Sequence, residues 1–211
     1  MDGIILDVDG TLWDSRAVVA KAWSQALKET VGLEREFSAE VLTPLFGKPM
    51  DEIMEALLPE MEKERRDAVS VDFFSYENRL LETEPGRLFP GVYETMEQLS
   101  KLTSLYIVSN CQSGYIEVML MGTGMTSFVK DFQCYGDNGK SKAENIRILM
   151  ERNDIKEVVY VGDTQGDAQA CKEAGIPFVF AEYGFGDLEE EPAYRIQNFS
   201  ELLHLVNDMK K

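Results

Sequence analysis

The stretch Gly3-Ile4-Ile5-Leu6-Asp7-Val8-Asp9-Gly10-Thr11-Leu12 decides the fold. A short apolar run of β type ends in two alternate aspartates, a glycine and a hydroxyl, which is how a buried strand leaves a sheet at a turn. Comparable apolar runs occupy residues 104–108, 132–135, 158–161 and 178–181, and most are bounded by Gly, Asp or Asn. Segments with helical spacing lie between the last four, at 113–121, 143–150 and 165–174. The last of these stops at Gly175-Ile176-Pro177, a C-cap glycine followed by a proline. Strands alternating with helices imply crossover connections and a parallel sheet covered on both faces. The expected fold is α/β, with a Rossmann-like parallel five-stranded sheet. A last amphipathic helix at 200–209 packs against it, carrying His204 as a partly exposed residue.

The first connection is anomalous, because roughly 95 residues separate the first two strands where a plain crossover needs a few dozen. Residues 15–84 read as four helices. Ser15 is an N-cap, Val19, Trp23, Leu27 and Val31 repeat every four residues, and Gly32 closes the first helix. Ser38 and Pro49 start two more, the second covering 49–58 with Asp51 and Glu52 in its first turn, and a fourth runs through 62–81. The expected organisation is a core of residues 1–14 and 85–211 with an inserted helical cap at 15–84. Two close-set linkers, around 13–15 and 84–86, make a hinge. Trp13 and Trp23 are expected to pack within the cap, the methionines to fill the core, and Glu189-Glu190-Glu191-Pro192 to be a solvated loop.

Composition removes several classes of function. The chain has 211 residues, 21 Lys and Arg against 38 Asp and Glu, a formal charge of −17 and a single histidine, His204. Binding to nucleic acid or anionic lipid needs clustered cations, which this balance disfavours. Triads, Cys-His dyads and multi-histidine zinc sites have almost nothing to build on. Three widely spaced cysteines form no C-x-x-C, so reduced thiols in a cytoplasmic protein are expected. No apolar run reaches membrane-spanning length, and Met1-Asp2 opens no signal sequence.

In an open parallel sheet, ligands bind beyond the carboxyl ends of the strands. Asp7 and Asp9 lie at that edge, as do Ser109-Asn110 after the second strand and Gly162-Asp163-Thr164-Gln165-Gly166-Asp167 after the fourth. Gly139-Lys140-Ser141-Lys142 opens the helix that precedes the fourth strand. Taken together and in this order, these residues resemble the haloacid dehalogenase superfamily of aspartate-nucleophile phosphotransferases. Phe89-Pro90-Gly91-Val92 and Tyr183-Gly184-Phe185-Gly186-Asp187 are similar to stretches of its phosphoglycolate-phosphatase-like members.

The resemblance implies a Mg²⁺-dependent phosphatase acting on a small phosphorylated metabolite. Phosphate esters are dianions, and a carboxylate attacks one only where the repulsion is neutralised. All-oxygen ligands suit Mg²⁺, so Asp7, Asp163 and the backbone carbonyl of Asp9 are the expected metal ligands. Asp167 is either a water-mediated ligand or the group that orients the lysine. Asp7 is the expected nucleophile and Asp9 the acid and base; an aspartate at that place favours phosphoryl transfer over carbon–halogen cleavage. Lys142 is the preferred motif lysine, with Lys140 the alternative. Thr11, Ser109, Asn110 and the cap residue Lys48 are candidates for holding phosphate or substrate, Lys48 being otherwise a solvated charge. A phosphomutase resembling β-phosphoglucomutase and a non-catalytic phosphate- or metal-binding module are the competing readings. A monomer or homodimer is expected.

Overall fold

The computed structural model describes residues 1–209. Its strands are β1 (Gly3–Leu6), β2 (Trp13–Asp14), β3 (Arg87–Leu88), β4 (Ser104–Ser109), β5 (Val129–Cys134), β6 (Val158–Gly162), β7 (Phe178–Ala181) and β8 (Tyr194–Ile196). Its α-helices are α1 (Arg16–Ala26), α2 (Ala39–Leu42), α3 (Met50–Leu57), α4 (Lys63–Thr83), α5 (Val92–Ser100), α6 (Tyr115–Thr123), α7 (Tyr135–Asn138), α8 (Lys142–Arg152), α9 (Gln165–Ala174) and α10 (Leu202–Met209).

Side chains alternate across a strand, and each central strand here is apolar on both faces, so the sheet is buried on both sides. Ile4 and Leu6 of β1 join Leu105, Ile107, Val159 and Val161 in one cluster. Ile5 joins Tyr106, Val108, Val158 and Tyr160 in another on the opposite face. The sheet is parallel throughout, in the order β5-β4-β1-β6-β7-β8. It therefore has six strands and not five. The sixth, β8, is a three-residue edge strand in which only Ile196 is buried, so it lacks the apolar run that marks the others. The chain leaves β1 for one half of the sheet and later returns to its other side, which makes β1 the point where the strand order reverses.

Between β2 and β3 lie α1 to α4. Val19, Trp23, Leu42, Ile53, Met54 and Phe73 form an apolar cluster of their own there. The first helix continues from α1 through a wider turn at Leu27–Val31 and ends at Gly32, whose φ of 75° a residue with a Cβ rarely adopts. Helix α2 is a single turn capped by Ser38, and it passes into a 3₁₀ turn at Thr43–Leu45. Sequence spacing did not show that the two crossings pair with each other: Trp13 lies opposite Leu88 and Asp14 opposite Arg87, forming an antiparallel ribbon. Trp13 belongs to the apolar cluster of the sheet and not to that of the inserted helices, and its ring meets Tyr115 edge-on there.

His204 is exposed on α10, and all three cysteines are buried free thiols. Among the described residues, no helix is long and apolar enough to cross a membrane.

Candidate active site

Asp7 follows β1 directly and is 1% exposed. The chain then turns through Gly10 at φ 81°, where a Cβ would collide with the Asp163 carboxylate; only glycine allows β1 to exit this close to β6. Thr11 is buried, and its hydroxyl donates to Asp163 Oδ1 at 3.2 Å. The structure thus joins the Thr11 hydroxyl to Asp163.

Beyond β6, Thr164 caps α9: its hydroxyl accepts from the Asp167 N–H and donates to Asp167 Oδ2 at 2.7 Å. That exchange fixes Asp167, which is fully buried. Lys142, in the first turn of α8, lays its ammonium between Asp167 Oδ1 at 2.5 Å and Asp7 Oδ1 at 3.1 Å. Lys140 is exposed and only its backbone joins the loop hydrogen bonds, so Lys142 is the lysine that reaches the carboxylates. Burial opposes the charge on Lys142, but Asp167 and Asp7 outweigh it and hold the ammonium above the usual lysine range.

Asp7, Asp163 and Asp167 offer carboxylate oxygens within 4.8 Å of one another, all buried. Burial pushes Asp7 up to about 6 despite Lys142, and pushes Asp163 well above its ordinary range, with Asp167 and Asp7 adding to the effect. The hydrogen bonds to Asp163 come from Thr11 and from the Phe185 N–H at 2.7 Å, not from a cation. Three carboxylates with one ammonium leave a negative surplus in a buried, all-oxygen site. A hard divalent cation fits that donor set.

Asp9 points elsewhere. Its Oδ1 accepts from Ser15 Oγ at 2.7 Å and from Tyr115 OH at 2.8 Å, and these two hydroxyls are 2.8 Å apart. Burial raises Asp9 to about 7 against the pull of those two hydrogen bonds. Ser15 stands at the N-cap position of α1, yet its hydroxyl makes no cap bond because it is committed to Asp9. Tyr115 was not expected from the sequence; an aromatic residue at the start of an amphipathic helix reads as core, and its partner is 106 residues away.

A small cavity of about 30 Å³ opens over Asp7 and Asp9. Ser109, Asn110 and Gln112 line its sheet side; Val19, Trp23, Met50, Ile53 and Glu77 line the wall built by the inserted helices. Lys48 is exposed and also borders this space. The turn before α3 is pinned to the sheet edge, with Asn110 Nδ2 donating to the Gly47 carbonyl at 2.8 Å. Gly47 has φ 86°, and a Cβ there would stand 3.0 Å from Thr164 Cγ2, so glycine permits this approach. Phe46 meets Phe185 edge-on, with ring centroids 5.9 Å apart. Trp23 and Glu77 are two more residues that sequence reading did not place here. Trp23 packs among the inserted helices as expected, but its ring nitrogen also donates to Glu77 Oε2 at 2.5 Å.

The chain is 30% identical to the phosphoglycolate phosphatase of Aquifex aeolicus over 97% of its own length and 96% of that protein's. It is 25% identical to the pyrophosphatase PpaX of Bacillus velezensis, over 96% and 95% of the two chains. Among solved structures, a haloacid dehalogenase-like hydrolase from Streptococcus pneumoniae superposes with a TM-score of 0.83 at 22% identity, covering 98% of each chain, which shows the shared fold. The sequence profile of the haloacid dehalogenase-like hydrolases matches residues 4–181, from β1 to the end of β7, and the chain belongs to that family.

Proposed function

We propose that the protein is a Mg²⁺-dependent phosphatase that hydrolyses a small phosphorylated metabolite through an aspartyl-phosphate on Asp7. The observation that carries this reading is the division of labour between two aspartates: Asp7 is joined to Lys142 and to the Asp163–Asp167 cluster, whereas Asp9 is held apart by Ser15 and Tyr115. One carboxylate is placed to attack and the other to exchange a proton. The names of the relatives, a phosphoglycolate phosphatase and a pyrophosphatase, support a phosphoryl substrate.

In this reading, Asp7, Asp163 and the carbonyl of Asp9 hold Mg²⁺, which supplies positive charge to offset that of the phosphate. Asp167 acts on Lys142, as its 2.5 Å contact indicates, and the pair keeps the Asp7 carboxylate in place. A carboxylate oxygen of Asp7 attacks phosphorus in line while Asp9 gives its proton to the departing alcohol. Asp9 then takes a proton from the water that cleaves the acyl phosphate. Ser109 and Asn110 at the end of β4, with Lys142, hold phosphate oxygens, and Lys48 adds charge at the mouth. The helical insertion at 15–84 acts as a cap over the core of 1–14 and 85–211, excluding bulk water during chemistry, with the β2–β3 ribbon as its hinge.

Phosphate release from a panel of sugar phosphates, nucleotides and phosphoglycolate, with and without Mg²⁺, tests this. Hydrolysis of at least one ester that needs Mg²⁺ and is lost in Asp7→Asn is expected. No release from any ester, or turnover that survives Asp7→Asn, overturns it.

A further inference from the structure

The cavity carries a third carboxyl group that the reaction above does not use. Glu77 lies on α4, is 3% exposed, and faces the same space as Asp7 and Asp9. Trp23 Nε1 holds its Oε2 at 2.5 Å, and the Gln112 side chain stands beside it. Its neighbours along this wall, Val19, Met50 and Ile53, are apolar. A carboxyl in such a wall is costly unless it meets hydrogen-bonding groups. Among the described residues no cation is paired with it: Lys142 is engaged by Asp7 and Asp167, and Lys48 is exposed at the mouth.

We propose that Glu77, held by Trp23, reads a hydroxyl group on the alcohol portion of the substrate, so that the site selects phosphate esters of small hydroxylated alcohols and disfavours esters that carry a carboxylate. This rests on the phosphatase reading and deepens it. A hydroxyl both donates and accepts. Burial raises Glu77 to about 8, so near neutral pH the carboxyl keeps its proton and matches both functions. A methyl group in the same place leaves Glu77 without that partner, and a carboxylate adds an anion to a cavity that already holds Asp7, Asp9 and the phosphate. Selection in this chain therefore differs from what the name of its Aquifex aeolicus relative states for that protein.

The test is kcat/KM with Mg²⁺ for matched phosphate esters of two and three carbons, each ending in a hydroxyl, a methyl or a carboxylate, phosphoglycolate being the two-carbon acid. At one of the two lengths the hydroxyl ester is expected to exceed both counterparts by about tenfold or more. In Glu77→Met the preference for hydroxyl over methyl collapses toward parity. In Glu77→Gln, which keeps a neutral donor and acceptor at that place, the hydroxyl preference and the disadvantage of the carboxylate ester both persist. Ratios within one variant cancel any loss of folded protein, and the wild-type ratios need no variant at all. Near-equal wild-type rates across the series, a preference for the carboxylate ester, or a hydroxyl preference unchanged in Glu77→Met overturns the assignment of Glu77 and leaves the phosphatase reading standing. Failure to hydrolyse any of these esters or any member of the broader panel removes both.

Discussion

Asp9 is held by two hydroxyl groups that converge on one oxygen, and that convergence fixes the direction in which its proton is offered. Tyr115→Phe deletes one of the two while keeping the ring in its edge contact with Trp13. The expected result is a kcat about tenfold lower on alkyl phosphates, with a smaller loss on p-nitrophenyl phosphate, whose leaving group needs no proton. Equal losses on both ester types count against a role for Tyr115 through Asp9. Asp7, Asp9, Asp163, Asp167 and Lys142 were legible because each lies at a strand end or helix start, where turn chemistry and a sheet edge limit what a carboxylate or lysine can do. Tyr115, Trp23 and Glu77 sit inside helical patterns. There an aromatic or an acid fits the helical period equally well whether it faces core, solvent or substrate, and only tertiary packing decides.

Among the elements, α9 shows how a helix cap serves a site. Thr164 caps the helix and grips Asp167 through the same hydroxyl. Thr164→Ala is expected to cost about 1 kcal/mol in urea unfolding, the usual worth of such a cap. A change below a few tenths of a kcal/mol would show that the Asp167 backbone and carboxylate are held by their other contacts alone. The four-residue spacing from Val19 to Val31 located the first inserted helix, and Gly175 with Pro177 located the end of α9 to the residue. The ribbon of β2 and β3 escaped because two residues per strand carry no periodicity. Strand β8 escaped because two of its three side chains are exposed, so its pairing with β7 comes from backbone hydrogen bonds that leave no mark on composition.

For the whole molecule, buried acids make stability depend on pH. Glu77 has its folded value raised from 4.5 to about 8 by burial. The unfolded chain therefore releases this proton first as pH rises. The stability associated with the neutral acid is fully present below about pH 4.5 and is lost as pH climbs through about 8. Urea midpoints of wild type and Glu77→Gln are expected to diverge across that window, the wild type losing at most about 1.4 kcal/mol per pH unit relative to the variant. Parallel pH profiles would mean that Glu77 ionises as readily in the folded protein as in the unfolded one. The charge of −17 disfavoured a basic binding surface, but it said nothing about which few of the 38 acids are buried.

The register of β1 also sets a timetable. Gly3 finds its partners in Ser104 and Val158, so the earliest of these strands in the chain is a central one and has no neighbour in the sheet until about a hundred residues have followed it. Strands β4 and β5, and later β6 and β7, can associate locally, but they become one sheet only when β1 slots between the halves. Pairing β1 with β4 closes the long loop through α1 to α4, and the two-residue ribbon ties its ends. The carboxylate cluster is complete only when β6 and α9 have joined β1, since Asp7 follows β1 while Asp163 and Asp167 follow β6.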